Sequence, residues 1–530
     1  MPVVIGIETE YGIYVENKGA QDLVAEATHL VRAMPPPTAN RWDYGRESPR
    51  RDVRGFTVDN LTVDPFDAQF EQTGRGAPHS TDVETRSDRA LPNGARLYND
   101  HGHPEYSTPE CGSLLDLIAH DRAGERIMQE CANRRMTQNG GALVAMYKNN
   151  TDFHGASYGT HESYQIRRDT PFDDVLRGIL PFFVTRQIFA GAGKVGVEAQ
   201  PGSPAPKGVE YQLSQRADYF TTIASVDTLY NRPIVNTRDE PHGDARQFRR
   251  FHVICGDANM AEVATFLKTG TTLLVLRLLE TGWLPDHIDL RDPVAAIKHI
   301  SRDASLKWNA ERLDGGTIGA VAVQRTYLAA AQSRLAGFST ETDAVITEWD
   351  AVLNALESDP LALSNTLDWA AKRNLLEQYR ESEGLPWSDP SLQSVDLEYH
   401  NVDPEAGLYY GLEQAGEMRR MVTDAAIDTA LKSPPASSPR AIVRGSAVQK
   451  FAANVKSITW SRLELQSENQ SVSLSMSAIA DIDGAALAKE LSAAQTVMQF
   501  AAVVSQRLQN VAEPDVAVNA AGMSGPDASY

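Results

Sequence analysis

Cysteine is scarce in this chain: three among 530 residues, Cys111, Cys131 and Cys255, with no CxxC pair. That excludes a thiolate zinc cluster and a disulfide framework, and it suits a reducing cytoplasm. Positive charge is also in deficit, 50 Lys and Arg against 70 Asp and Glu, for a formal net charge of −20. Such a surface repels phosphate backbones and anionic lipid, so no nucleic-acid and no membrane partner is expected. Long apolar runs are missing. The most apolar stretch, 263–284, carries Lys268, Arg277 and Glu280 and reads as a buried helix. No basic and apolar leader opens the chain, which supports a cytoplasmic expectation. Neither GxGxxG nor a P-loop occurs, so nucleotide binding by those routes is unsupported.

What is present is a set of strands with polar faces. Side chains in a strand alternate faces, so an extended Arg96–Asp100 puts Arg96, Tyr98 and Asp100 on one side and Leu97 and Asn99 on the other. A guanidinium, a phenol and a carboxylate make a poor core and a good wall for a charged ligand. The apolar run Val3–Ile7 leads into Glu8 and Glu10, again at i and i+2. Two carboxylates on one face repel unless a cation sits between them, and hard oxygen donors suit Mg²⁺ with phosphate. Glu105, beyond a His103-Pro104 bend, is placed to return a carboxylate to the same metal.

Coarse patterning predicts strands at 3–8, 94–100, 142–148, 161–168, 209–213, 233–237 and 248–254. Helices are expected at 113–138 (with Ser113 as cap), 172–190, 259–282, 292–303, 318–336, 340–358, 361–380, 405–430 and 440–454. Strands dominate the first half and helices the second, which argues for an α+β fold, an antiparallel sheet backed by helices. Pro, Ser and Thr at 433–439 divide a large catalytic domain, 1–432, from a small C-terminal domain, 440–510, with strands at 456–465 and 470–476. The Ala-, Gly- and Asp-rich stretch 511–530 reads as a disordered tail. A long polar insertion follows Pro35-Pro36-Pro37; Trp42, Tyr44 and Phe56 suggest that its first half docks, whereas 70–90 looks flexible. Further polar clusters at strand ends are Lys148–Asp152 with His161, Ser214–Arg216, and Asn236–His242. Arg216 and Arg238 could each clamp a phosphate or carboxylate.

These residues resemble a known family. Gly6–Gly12, Asn93–Tyr98 with Asp100, His103–Tyr106, Lys148–Asp152, Ser214–Ala217, Asn236–His242, Arg249–Ile254 and Gly256–Met260 are similar, in order, to the Pup ligase/depupylase family, over nearly the whole chain to about residue 465. The resemblance implies a glutamine-synthetase-like fold: a curved antiparallel cradle for ATP and Mg²⁺, helices behind it, and a small C-terminal domain. It implies Asp100 as the catalytic acid, acting as base or nucleophile. Glu8, Tyr98 and Glu105 are implied as Mg²⁺ ligands, with Glu10, His161 and His242 as further candidates at the metal–phosphate site. Arg96, Thr108 and Trp460 resemble ATP contacts, and Arg216 and Arg238 contacts to phosphate or a substrate carboxylate. The insertion at about 40–85, with Arg41–Tyr44, Glu47–Pro49 and Arg54–Phe56, resembles the depupylase/deamidase branch. Its activity is hydrolysis of the bond between Pup and substrate lysines and deamidation of the Pup C-terminal Gln. A Pup–protein ligase and a silent Pup- or ATP-binding scaffold are the alternatives. Pup and pupylated proteins are the implied partners, a monomer is expected, and Arg186, Arg249 and Arg250 are candidates for a basic groove that meets acidic Pup.

Overall fold

The computed structural model describes residues 4–45, 47–59, 61, 86–153, 155–198, 206–228, 231–467, 470–477 and 482–509. Six strands form the central sheet: β1 (Ile5–Glu10), β2 (Arg89–Ala90), β3 (Arg96–Asp100), β4 (His103–Ser107), β5 (Thr160–Arg167) and β6 (Phe248–Val253). Their spatial order is β6-β5-β1-β4-β3-β2, antiparallel throughout. The expected α+β architecture is therefore present, with one strand that the pattern hid. His103-Pro104 is not a bend before Glu105; both residues lie in β4, between β1 and β3. Proline is tolerated here because β1 ends at Glu10, opposite Glu105, and Pro104 contributes only its carbonyl, to Tyr11 N. The β3–β4 turn is two residues long, His101 and Gly102, with φ of +48° and +96°. A left-handed pair of this kind closes a tight hairpin and brings Asp100 opposite His103.

Behind the sheet pack α1 (Leu114–Gln138), α2 (Phe172–Thr185) and α3 (Glu262–Glu280). Ser113 caps α1, its hydroxyl accepting from Asp116 N at 3.1 Å. Ile5, Ile7, Tyr164, Ile166, Phe251 and Val253 point back into the helical core. Since directly paired residues share a face, the register puts Glu8, Glu10, Arg96, Tyr98, Asp100, His103, Glu105, His161, Arg250 and His252 together on the opposite face. The core side is apolar because the helices cover it, and the other side is left to carry chemistry.

Several helices differ from expectation. The helix expected over 405–430 is two, Leu408–Gln414 and Asp424–Lys432, parted where Gly416 takes φ +74°. A helix at Pro390–Tyr399, capped by Asp389 with proline in its first turn, was not expected. The C-terminal residues form three strands, Val455–Ile458, Arg462–Gln466 and Ser471–Ser475. Their core also takes in Ala39, Trp42 and Ala90, from the two ends of the insertion. Of the stretch expected to be flexible, 70–90, residues 70–85 lie outside the described residues, whereas Arg89–Ala90 is a strand. The expected tail, 511–530, also lies outside them.

Candidate active site and its cation donors

Two groups of donors stand on the polar face. Oxygens of Glu10, Asp100 and Glu105, from β1, β3 and β4, lie within 4.8 Å of one another. Tyr98 Oη donates to Glu105 Oε1 at 2.6 Å, and Gly159 N to Glu10 Oε2 at 2.7 Å. Burial, with Asp100, Glu8 and Glu10 close by, pushes the Glu105 carboxyl well above its usual range. Burial pushes Asp100 the same way, but His101, Arg86 and Arg96 outweigh it and hold that carboxyl well below normal. One acid, Asp100, is thus kept ionised beside another, Glu105, that resists ionisation.

The second group joins Glu8 to His161 and His252. Glu8 Oε2 lies 3.6 Å from His161 Nδ1 and 3.9 Å from His252 Nε2, and the two imidazoles meet edge to face at 5.1 Å. Both ring nitrogens of buried His252 lack a hydrogen-bond partner among the described residues. Burial, together with Arg250 and His161, drives its pKa well below normal, so the ring is neutral and able to donate a lone pair. Arg250 Nη2 donates to Glu8 Oε1 at 2.8 Å. Carboxylates facing one another and an orphaned neutral imidazole form a donor set that fits divalent cations.

The anticipated ligands therefore divide. Glu10 and Glu105 fall with Asp100, and Glu8 and His161 fall with His252. Tyr98 keeps its phenolic proton, its pKa raised by burial and by Glu105, and supports Glu105 from behind. His242 joins neither group among the described residues, though Glu8 and Arg250 lie close enough to act on it. It sits on a loop at φ +47°, and burial beside Arg250 and Arg440 depresses its pKa to about 3. His252 takes the place foreseen for it. The signal was available, since Arg250 and His252 alternate with Phe251 and Val253 along β6.

The anticipated anion contacts are spread more widely. The Arg96 guanidinium lies over the rings of Tyr98, Trp42 and Tyr44 at 3.7, 4.2 and 5.1 Å and pairs with Asp88 at 2.7 Å. Trp460 meets Trp42 edge to face at 5.0 Å. The Thr108 hydroxyl accepts from Ile7 N at 3.0 Å, a lock on β1. Arg216 is 1% exposed, donates to Ile254 O at 2.6 Å, has an unpartnered Nε, and makes no ion pair among the described residues. Arg238 donates to Val226 O and Thr228 Oγ1 and so folds onto its own loop. Two of the three groove arginines are corrected. Arg186 is buried against Glu162 in a two-pronged pair at 2.6 and 2.9 Å, and Arg249 donates to the carbonyls of Thr170 and Arg168. Neither can line a groove; of the three, only Arg250 faces the cradle. Lys148 is likewise enclosed, its Nζ 2.6 Å from Asp121 and 2.7 Å from Glu125.

The insertion contributes Tyr44, which the sequence singled out, together with Arg86 and Asp88, which it did not. Tyr44 Oη donates to Asp88, and Arg86 stacks 4.7 Å over the Tyr44 ring with Nη1 3.7 Å from Asp100 Oδ1. All three cysteines are free, and among the described residues no helix is long and apolar enough to cross a membrane.

A depupylase of Acidothermus cellulolyticus is 44% identical over 467 residues, 86% of this chain and 90% of that protein. A Pup–protein ligase of Nakamurella multipartita is 41% identical over 390 residues, 72% of this chain and 84% of that one. The solved structure of the Pup ligase PafA in complex with ADP superposes with a TM-score of 0.68 at 30% identity, covering 86% of this chain and 96% of PafA. Residues 3–464 match the family described as Pup-ligase protein, and the chain, with its antiparallel sheet backed by helices, belongs to that family.

Proposed function

We propose that this chain is an ATP- and Mg²⁺-dependent depupylase and deamidase. It hydrolyses the isopeptide bond between the C-terminal Glu side chain of Pup and a substrate lysine, and converts a C-terminal Gln of Pup to Glu. The observation that carries the reading is the state of Asp100: an ionised carboxylate at the open end of a donor-lined face, its side chain 22% exposed. Two features favour hydrolysis over ligation. The alignment with the depupylase spans more of the chain than that with the ligase, 86% against 72%, and the insertion reaches Asp100 itself.

Glu10 and Glu105, with Asp100 beside them, would hold one cation, and Glu8, His161 and His252 another. When bound, Mg²⁺ with nucleotide phosphate supplies positive charge against the polarised amide oxygen. Arg216, buried without an anionic partner, is suited to a phosphate. Asp100 attacks the γ-carboxamide carbon, or accepts a proton from the water that does; either way the amide gains one water and splits into carboxylate and amine. Pup and pupylated proteins are the substrates, the monomer in the cytoplasm is the working form, and residues 1–432 and 440–510 are its two domains.

Incubation with ATP, Mg²⁺ and a Pup ending in Gln tests the proposal. The expected product is the Glu form, read as a mass gain of about one dalton. A protein that leaves Gln intact but joins Glu-ending Pup to lysine is a ligase, and one that does neither is a binding scaffold.

A further inference from the structure

Asp100 stands at the end of β3, beside a two-residue turn, close to two other carboxylates. Nothing in the strand ladder fixes the rotation of its side chain, and repulsion from Glu10 and Glu105 would turn it away. Two cations oppose that. His101 Nδ1 lies 3.2 Å from Asp100 Oδ1, and Arg86 Nη1 lies 3.7 Å from the same oxygen. Among the described residues no group donates to Oδ2. One oxygen is tethered from two directions and the other is left for reaction.

Arg86 comes from the returning end of the insertion, just before the edge strand β2, and it is itself held. Its guanidinium lies 4.7 Å over the ring of Tyr44, from the outgoing end. Tyr44 Oη donates to both oxygens of Asp88, at 2.9 and 2.8 Å, and Asp88 pairs with Arg96. The two ends of the insertion thus interlock over the polar face. A planar guanidinium can stack on a ring and still direct an edge N–H at a carboxylate, which an ammonium does less well.

We infer that Arg86 is a positioning residue, which holds Asp100 Oδ1 so that Oδ2 points at the scissile amide. The inference deepens the proposed function and rests on it. It makes the insertion part of the reaction geometry, so that the hydrolytic site is assembled from two segments of chain.

The test uses the full-length protein and a Pup–lysine isopeptide conjugate with a fluorophore on the lysine. Misplacing a reacting group by about 1 Å costs up to about a hundredfold, so Arg86→Met should lower kcat about ten- to a hundredfold. KM for the conjugate and affinity for ADP should stay within about twofold, because the residue acts on geometry rather than binding. Arg86→Lys should retain part of the rate, and methylguanidinium in the buffer should restore part of the activity of Arg86→Ala. Unchanged or increased kcat in Arg86→Met overturns the inference, the second by showing that the arginine obstructs Asp100. A raised KM at constant kcat also overturns it, making Arg86 a substrate contact. Parallel loss of ADP binding and melting temperature does the same, making it a structural support. Failure of the wild type to cleave the conjugate would count against the proposed function; cleavage indifferent to Arg86 counts only against this inference.

Discussion

The central sheet carries buried carboxylates and arginines on both faces, and they are arranged to opposite ends. On the core side Glu162 meets Arg186 through two parallel hydrogen bonds, and Tyr164 Oη donates to the same carboxylate. On the other side Glu10, Asp100 and Glu105 are set against one another; Arg86 reaches only Asp100, at 3.7 Å, while Arg96 is matched to Asp88. A carboxylate matched to a guanidinium holds architecture in place; carboxylates set against carboxylates raise the energy of the unliganded fold and bind a cation in return. Residue type is the same on both faces, so pairing is what distinguishes structure from chemistry.

That contrast can be broken from either side. Asp100→Asn should lower hydrolysis of a Pup conjugate by about a thousandfold, within the range for loss of an acid–base or nucleophilic group, with the melting temperature kept within a few degrees. A variant that cleaves at the wild-type rate removes Asp100 from the chemistry. Arg186→Met should leave Glu162 buried and unmatched and cost about 3–5 kcal/mol in urea unfolding. The double change Glu162→Leu with Arg186→Met should recover most of that, and a single variant as stable as the wild type would show that the pair carries no load.

The helical backing makes a pH-dependent contribution. Burial lowers the pKa of His120, in α1, to about 4. The folded protein therefore resists a proton that the unfolded chain accepts near pH 6.5. Its contribution is present above pH 6.5 and is lost as pH falls through 4, up to about 3 kcal/mol. His120→Leu should flatten the stability profile in that window, and an identical profile would exclude the residue as a source of acid lability.

The smallest expected effect is on the polar face. Glu105→Gln removes one of three crowded acids, so it should stabilise the metal-free protein by about 1 kcal/mol and reduce the rise in melting temperature on adding Mg²⁺, leaving the share due to Glu8, His161 and His252. Chelation by EDTA should lower the melting temperature of the wild type more than that of the variant. Equal Mg²⁺ shifts in both proteins would place the cation elsewhere.

Local pattern carried much of this arrangement. The alternation in 96–100 and the acids at 8 and 10 announced one polar face, because period two is a local property of extended chain. What pattern did not disclose was pairing. Glu162 and Arg186 look like any exposed acid and base until a strand and a helix 24 residues apart in sequence close on each other. β4 was masked by a His-Pro pair that ordinarily marks a bend, and its insertion between β1 and β3 is what brings Glu105 to Glu10. His252 alternates with Phe251 and Val253 whereas His242 follows a proline, so period two already marked His252, and the ladder between β5 and β6 is what sets it on the polar face. The contacts of Tyr44, Arg86 and Asp88 arise from an aperiodic polar segment, where no repeat points to a partner.

One backbone detail bears on how such a segment can change over time. Ala39 and Ala90 exchange two hydrogen bonds, at 3.1 and 2.8 Å. The two ends of residues 40–89 are therefore stapled side by side. Closing a loop twice as long costs only about 0.6 kcal/mol more. Inheritance can then change the length of the middle at little cost, provided that the two alanines at the threshold still find each other and Tyr44, Arg86 and Asp88 keep their contacts.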